Sequence, residues 1–264
     1  TGGFIVKIGV LLKQVPDTES KIRVAGDGIE EGDVKWIINP YDEYAVEQAL
    51  RLQDAEGGEV VIITLGPARS VDAARTALAM GADRAVVLDD PGFAGSDAYG
   101  VGKALAAVVE KEGIEIVFTG RQAIDGDNNQ VPQIVAAALG WPHVTWINGF
   151  EKGDGHATVR RPVGGGAVEV VKVSLPAVFT CSKGLNEPRY ASLPGIMKAK
   201  RKPVSGYSPA DLGVEDVVGA DNALVSYSDY HLPPGRPAGR ILQGELTDQV
   251  RELVRLLREE AKVL

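Results

Sequence analysis

Short apolar runs alternate with amphipathic runs along the first two-thirds of the chain. We predict strands at residues 7–13, 34–38, 59–65, 84–88 and 114–119, and the apolar start of the chain already resembles the beginning of a strand. Continuous apolar strands that alternate with helices form a parallel sheet covered on both faces. The predicted fold is therefore α/β and doubly wound, with a mostly parallel sheet.

The amphipathic runs predict the helices between these strands. The first helix is expected to begin after Asn39 as N-cap, with Pro40 in its first position, and to stop at Gly57 and Gly58. Further helices are predicted after Gly66 and Pro67 as far as Ala79, over residues 97–111, and from Val131.

The pattern changes at about Val144. Strand-like segments at 156–161, 168–173 and 177–180 then follow one another across the Gly-rich turn 164–166. Consecutive strands joined by such turns are typical of antiparallel pairing. We predict an antiparallel addition to the parallel sheet here.

The last part of the chain is expected to be an extended arm that ends in a helix. Residues 183–243 are rich in Pro, Gly and polar residues and have little periodicity, whereas Thr247 is the expected cap of a helix over 248–263. The apolar stripe of this helix either docks on another chain or packs on its own domain. Its members are Val250, Leu253, Val254 and Leu257.

Composition and charge exclude several classes of protein. Of the 264 residues, 44% are hydrophobic and 24% are charged, which is ordinary for a globular protein. There is no apolar stretch of membrane-spanning length and no basic leader pattern, so we expect a cytoplasmic protein without membrane insertion. The net charge of −8 argues against general nucleic-acid binding. Cys181 is the only cysteine and is expected to be a buried small residue.

Common catalytic and binding motifs are absent. The sequence has no Gly-x-Gly-x-x-Gly loop, no Walker A motif and no Gly-x-Ser-x-Gly elbow. His143, His156 and His231 lie far apart and lack metal-ligand spacing. We therefore predict no metal site and no catalytic residue, which disfavours a hydrolase or a transferase.

The longest polar loop follows the predicted strand 114–119. Ligands of open α/β sheets bind at the carboxyl ends of the strands. The loop offers neutral amides, flexible glycines and the free N–H groups of a helix start. Asp125 and Asp127 would repel a polyphosphate unless they bond ribose hydroxyls or cap the helix, so the loop suits a nucleotide such as AMP, or it simply caps its own helix. Its residues are Gly120, Arg121, Gln122, Ala123, Ile124, Asp125, Gly126, Asp127, Asn128, Asn129 and Gln130.

A second candidate segment combines apolar residues with cations. An apolar tip in a basic frame is typical of protein docking, in which the charges steer the partner and an apolar residue anchors it. The alternative is a solvated run of charges beside a core-packed leucine. The segment contains Tyr190, Leu193, Pro194, Ile196, Met197, Lys198, Lys200, Arg201 and Lys202.

Three motifs in this region resemble the signature of the electron transfer flavoprotein β subunit. They are LPAV at 175–178, NEPRY at 186–190 and LPxIMKAK at 193–200. Other matches follow in the family's order between about Lys7 and Lys202. These are KxV at 13–15, KIR at 21–23, NP at 39–40 with AVE at 45–47, GP at 66–67, RTALAMGAD at 75–83 and QAID at 122–125.

The resemblance implies a subunit of a heterodimeric electron carrier rather than an enzyme. An α subunit would hold most contacts to a redox-active FAD, and this chain would bind a structural AMP. Electrons would arrive from acyl-CoA dehydrogenases or related flavoenzymes, as in fatty acid β-oxidation, and would leave to a quinone oxidoreductase.

The resemblance also assigns residues. It implies a nucleotide-binding domain at residues 1–205, with a recognition loop at 183–203, and a partner-docking arm and helix at 206–264. Leu193 would anchor the loop, with Tyr190, Pro194, Ile196, Met197, Lys198 and Lys200 around it. The AMP contacts would fall at Leu11, Asn39, Pro40, Tyr41, Asp42, Leu65 and every residue from Gly120 to Val131.

Two departures from the family pattern leave alternatives open. Thr18 stands where some members place a tyrosine near the flavin, which puts that contact in doubt. The sequence DGDNNQV at 125–131 combines features of AMP binders with those of bifurcating members, which bind a second FAD there. We favour AMP, because the bifurcating pattern has small residues in place of Asn128 and Asn129. A nucleotide-binding regulatory module without a redox role is a third possibility.

Overall fold

The computed structural model describes residues 6–26, 28–236 and 238–264. The predicted start of a strand in the first five residues lies outside them. The strands are β1 (Lys7–Leu11), β2 (Gln14–Pro16), β3 (Val24–Ala25), β4 (Gly28–Ile29), β5 (Trp36–Ile38), β6 (Glu59–Leu65), β7 (Arg84–Leu88), β8 (Ile116–Gly120), β9 (His143–Ile147), β10 (Gly149–Lys152), β11 (His156–Gly164), β12 (Ala167–Ser174), β13 (Ala177–Cys181) and β14 (Val204–Ser205). The α-helices are α1 (Pro40–Glu56), α2 (Ser70–Met80), α3 (Ala98–Lys111), α4 (Val131–Leu139), α5 (Leu193–Ala199), α6 (Pro209–Leu212) and α7 (Leu246–Glu259).

Within the described residues, seven strands form one wholly parallel sheet. Their order is β14-β7-β6-β1-β8-β13-β9, so the chain winds outward from β1 in both directions. This confirms the predicted doubly wound α/β fold. Among the helices that the structure describes, none is long and apolar enough to cross a bilayer.

Alternating strand residues feed two separate hydrophobic cores. Val60 and Ile62 of β6 face the core that contains α1 and α2, whereas Val61 and Ile63 face the core that contains α3 and α4. All four are fully buried. The continuous apolar strands of the sequence are thus explained by helices on both faces of the sheet.

The region after Val144 differs in part from the prediction. The hairpin of β11 and β12 forms across Gly164–Gly166 as expected, but with β10 it makes a sheet of its own. The segment at 177–180 was predicted in this antiparallel series and instead lies in the parallel sheet, as β13 between β8 and β9. All five residues of β13 are buried, and its apolar side chains face the hydrophobic cores on both sides of the main sheet. Burial on both faces therefore outweighs the proximity of this segment to the hairpin in sequence.

The arm contains more structure than its composition predicts. Helix α5 packs on α2, strand β14 adds an edge to the parallel sheet, and the short helix α6 packs near α3. Val214 and Val218 are buried in the hydrophobic core that contains α3 and α4. The final helix begins at Leu246 with Glu245 as N-cap, so the prediction that Thr247 caps it was wrong.

Candidate functional site

A cavity of about 370 Å³, named the enclosed cavity below, lies at the carboxyl ends of β1, β6 and β8. The loop after β8 and the first turns of α1, α3 and α4 enclose it. The structure brings together twelve of the eighteen residues that we predicted to bind a nucleotide. These are Leu11, Asn39, Asp42, Leu65, Gly120, Gln122, Ala123, Asp125, Gly126, Asn128, Gln130 and Val131.

The other six predicted residues, as far as the described chain shows, do not line this cavity. Arg121 lies between two aromatic rings, with its guanidinium carbon 5.3 Å from the Tyr41 ring and 4.7 Å from the Trp146 ring. Asn129 has a left-handed backbone and accepts a hydrogen bond from Gln133. The full set is Pro40, Tyr41, Arg121, Ile124, Asp127 and Asn129.

Sequence reasoning missed several residues of the cavity wall. Leu12 and Lys13 directly follow β1, and their position at a strand end could have indicated them. Tyr227 lies in the irregular arm, 99 residues from its partner Asn128, and no local pattern points to it. The residues missed are Leu12, Lys13, Ser96, Asp97, Ala98, Val101, Leu105, Thr119, Pro132 and Tyr227.

The buried carboxylate of Asp42 joins three of the segments around the cavity. Its oxygens accept hydrogen bonds from the backbone N–H of Lys13 at 2.7 Å, the backbone N–H of Gly120 at 3.0 Å and the side chain of Asn39 at 2.9 Å. Burial raises the pKa of Asp42 to about 7, although these donors favour the ionised form. Because these three hydrogen bonds tie separate segments of the cavity wall together, we interpret Asp42 as a residue that positions the site.

Asn39 occupies the N-cap position of α1, but its side chain does not cap the helix. Its Nδ2 donates to the carbonyl of Gln122 at 2.9 Å, and its Oδ1 accepts from the N–H of Ile124 at 3.2 Å. Asn39 therefore fixes the path of the loop after β8. The predicted N-cap position of Asn39 is confirmed, although its side chain bonds the loop rather than the start of the helix.

The two aspartates of the loop are each paired within the protein. Asp125 lies 2.6 Å from Nζ of Lys13, and Asp127 accepts from Nε2 of Gln122 at 2.6 Å. No side chain in the described chain caps α4, whose N-cap residue is Gln130. The start of α4 thus offers N–H groups to an anion, and Lys13 offsets part of the negative charge beside it.

A second, more open cavity of about 850 Å³ adjoins the first. Side chains from the ends of β1 and β6, from the segment around Trp36 and from the arm line it. It shares six lining residues with the enclosed cavity: Lys13, Leu65, Asp125, Gly126, Asn128 and Tyr227.

The recognition loop is held at both ends by arginines. Arg189 donates from Nε to the carboxylate of Glu47 on α1 at 2.8 Å. At the other end, Arg75 of α2 donates to the carbonyls of Ala199 and Lys202. The residues between these two attachments are thereby held in a defined position.

The tip of the recognition loop is apolar and faces solvent. Leu193 is 80% exposed, and Tyr190, Ile196 and Met197 are exposed as well. Ser192 caps the short helix α5 by accepting from the N–H of Gly195. The alternative of a core-packed leucine is therefore wrong for Leu193.

Lys202 differs from the other cations of the loop. Its ammonium group donates to three carbonyls at the end of α2, and burial lowers its pKa. Lys198 and Lys200 are exposed. Lys202 thus belongs to the fold, and the carbonyls that it binds are those of Leu78, Gly81 and Ala82.

The apolar stripe of α7 is uncovered in the described chain. Val250, Leu253 and Val254 are exposed, Leu257 is half-buried, and no residue of the helix is buried. The opposite side carries ion pairs, such as that of Arg255 with neighbouring glutamates. The alternative in which this stripe packs on its own domain is not what the structure shows.

Fold and cavity together define the class of the protein: a doubly wound α/β protein with a cavity at the carboxyl edge of its parallel sheet, where ligands of such folds bind. The sequence profile of the family described as "Electron transfer flavoprotein domain" matches residues 28–212. The chain belongs to this family. Members of the family are flavoproteins that carry electrons.

Relatives match along nearly the whole chain. The electron transfer flavoprotein subunit beta of Bacillus subtilis is 41% identical over 97% of this chain and 98% of its own length. The corresponding protein of Bradyrhizobium diazoefficiens is 43% identical over 98% of this chain and 100% of its own length. The human protein is 39% identical over 98% of this chain and 99% of its own length.

Proposed function

We propose that the chain is the β subunit of a heterodimeric electron transfer flavoprotein and that it binds AMP. An α subunit holds most contacts to the FAD, which supplies the redox chemistry when bound. Electrons arrive from acyl-CoA dehydrogenases or related flavoenzymes and leave to a quinone oxidoreductase. Family membership supports the α partner and the flavin, and the enclosed cavity is the observation that carries the nucleotide assignment.

The size and lining of the enclosed cavity support a mononucleotide. Its volume of about 370 Å³ lies near the lower end of the roughly 300–1,000 Å³ typical of small-molecule sites. Leu11, Leu65 and Leu105 provide apolar walls for a base, and the amides of Asn128 and Gln130 offer donors and acceptors. The uncapped start of α4 would hold the phosphate.

The identity of the bound nucleotide tests this proposal directly. The heterodimer is purified and denatured, and the released nucleotides are separated and quantified, with about one AMP per dimer expected. Gln130→Ala should weaken AMP retention by about 0.5–1.5 kcal/mol, the net worth of a hydrogen bond. Asn129→Ala is the matched control, because Asn129 does not line the cavity. Release of no nucleotide would refute the assignment.

A second candidate function is electron bifurcation with an additional FAD in place of AMP. The open cavity favours it, because it shares six lining residues with the enclosed one and adds about 850 Å³ beside it. Two FAD molecules per heterodimer and no AMP would support this alternative. One FAD and one AMP would support the simple carrier.

The exposed tip of the recognition loop supports docking of the electron donor. Leu193, Tyr190 and Met197 form an apolar projection beside the exposed cations Lys198 and Lys200. Interface anchors are commonly such apolar side chains, and nearby charges accelerate the encounter. We infer that acyl-CoA dehydrogenases or related flavoenzymes bind here.

A further inference from the structure

A side chain from the arm lies at the boundary that the two cavities share. Tyr227 lines both of them, and its hydroxyl lies 2.8 Å from Nδ2 of Asn128, which also lines both. The ion pair of Lys13 with Asp125, at 2.6 Å, lies on the same boundary. The Tyr227–Asn128 hydrogen bond and the Lys13–Asp125 ion pair therefore lie on the path of a ligand that extends from one cavity into the other.

The arm holds Tyr227 in this position through its preceding residues. The N–H of Leu224 donates to Oδ2 of Asp97 at 2.8 Å. The other carboxylate oxygen of Asp97 accepts from the N–H of Gly100 and caps α3 at the wall of the enclosed cavity. Tyr227 is thus three residues beyond a point where the arm is bonded to the cavity wall.

We propose that Tyr227 is a specificity-determining residue that confines the bound ligand to a mononucleotide. The inference rests on the nucleotide-binding function proposed above and deepens it. A ligand that extends from the enclosed cavity into the open one meets the contact of Tyr227 with Asn128 and must displace it. A second phosphate on that path would also approach Asp125, whose ion-pair partner in the described chain is Lys13. Both effects disfavour longer nucleotides.

The experiment compares a short and a long ligand on the same heterodimer. Radiolabelled AMP is bound to the heterodimer and displaced either by AMP or by ADP-ribose. ADP-ribose is AMP extended by a second phosphate and a ribose. It carries no flavin that could enter the α subunit. The measured quantity is the ratio of the two displacement constants. Tyr227→Ala removes the ring, and Tyr190→Ala is the matched control, because Tyr190 is 98% exposed and lines neither cavity.

Tyr227→Ala should improve the relative affinity for ADP-ribose by at least about tenfold, a factor typical of removing one steric exclusion. Tyr190→Ala should leave the ratio at the wild-type value. Equal ratios in all three proteins would overturn the inference while AMP binding still stood. Loss of AMP without a gain for ADP-ribose would overturn it too, since Tyr227 would then contribute to binding and not to selection. A wild-type heterodimer that binds no AMP would refute the proposed function itself.

Discussion

The N–H of Gly120 donates to Oδ1 of Asp42 at 3.0 Å and so ties the end of β8 to the first turn of α1. No side chain fits at Gly120. A Cβ there would overlap the Asp42 carboxylate and lie 2.8 Å from the carbonyl carbon of Tyr41. The glycine is needed for this approach of two protein segments, whereas the sequence suggested an approach of the ligand.

Gly120→Ala should therefore damage both the fold and the nucleotide site. Overpacking of this kind costs about 1–3 kcal/mol of unfolding free energy. Gly126→Ala is the control in the same loop, because a Cβ there meets no atom closer than 3.6 Å. Thermal unfolding is measured for both variants, and AMP content is measured for Gly120→Ala. Equal stability of the two variants would contradict the packing argument.

The stability of the protein should depend on pH through Asp42. Burial raises its folded-state pKa from 3.8 to about 7, so between these values the folded protein holds a proton that the unfolded chain has released. The contribution of Asp42 is therefore complete below about pH 4 and declines as the pH rises toward 7.

The comparison variant for this effect is Asp42→Asn, which cannot ionise. The unfolding free energy of the wild type should fall relative to the variant by on the order of 2–4 kcal/mol between pH 4 and pH 7. Denaturant unfolding at several pH values measures the difference, and other carboxylates cancel in it. A difference that stays constant over this range would contradict the raised pKa.

Local signals in the sequence predicted the central elements well. The bounds of β6 and β7 and the first residues of α1 and α4 agree with the prediction, because apolar strands and Pro at a helix start are strong local signals. The prediction failed for segments whose position depends on contacts with residues distant in the sequence. Strand β14 pairs with β7 across more than a hundred residues, and its two residues carry no periodicity.

The candidate site shows the same division. Asn39, Gln122 and Gln130 follow strand ends or precede a helix, so position alone indicated them. Tyr227 lies at the site because the arm folds back on the domain, where Leu224 is bonded to Asp97. No spacing in the sequence predicts that contact. The roles of Asn39 and Asp42 as mutual partners likewise depend on side-chain geometry.

Leu193→Ala should weaken docking and leave the fold intact. Leu193 is exposed at the tip of the recognition loop, so its truncation removes no core contact. Loss of an interface anchor costs about 2 kcal/mol or more, which raises the apparent Michaelis constant for the dehydrogenase about thirtyfold or more. Steady-state coupling assays and thermal unfolding measure the two effects.

The control is Leu78→Ala, since Leu78 is almost wholly buried in α2. That variant should lose about 2–5 kcal/mol of stability. A Leu193→Ala protein that melts much earlier yet couples normally when folded would end the docking hypothesis.

Replacement of different cations in the recognition loop should affect either the stability of the fold or the rate of docking. Lys202→Ala removes an ammonium group that binds three carbonyls at the end of α2, and we expect a loss of about 1–3 kcal/mol of stability. Lys200→Ala should leave stability unchanged and slow association with the dehydrogenase, most clearly at low salt. Stopped-flow association at several salt concentrations tests this. A Lys202→Ala protein with wild-type stability would contradict the structural role.

Helix α7 should bind the α subunit through its uncovered stripe. The stripe of Val250, Leu253 and Val254 is exposed in the described chain, and a helix with one apolar face ordinarily buries that face. A chain that ends at Gly244 should keep the thermal stability of the α/β domain, because no residue of α7 is buried in the described structure. It should associate poorly with the α subunit on size exclusion.

Point variants distinguish the stripe from the helix as a whole. Leu253→Ala truncates the middle of the stripe and should weaken the heterodimer by about 1–2 kcal/mol, as expected for an apolar interface residue. Arg251→Ala is the control on the other side of the same helix, where Arg251 contacts only Asp248 at 3.6 Å among its described ion-pair partners. Since both residues are replaced by a good helix former, a difference between the two variants reports the interface and not the helix. Equal affinities for the α subunit, or normal heterodimer from the truncated chain, would show that the stripe is not the contact surface.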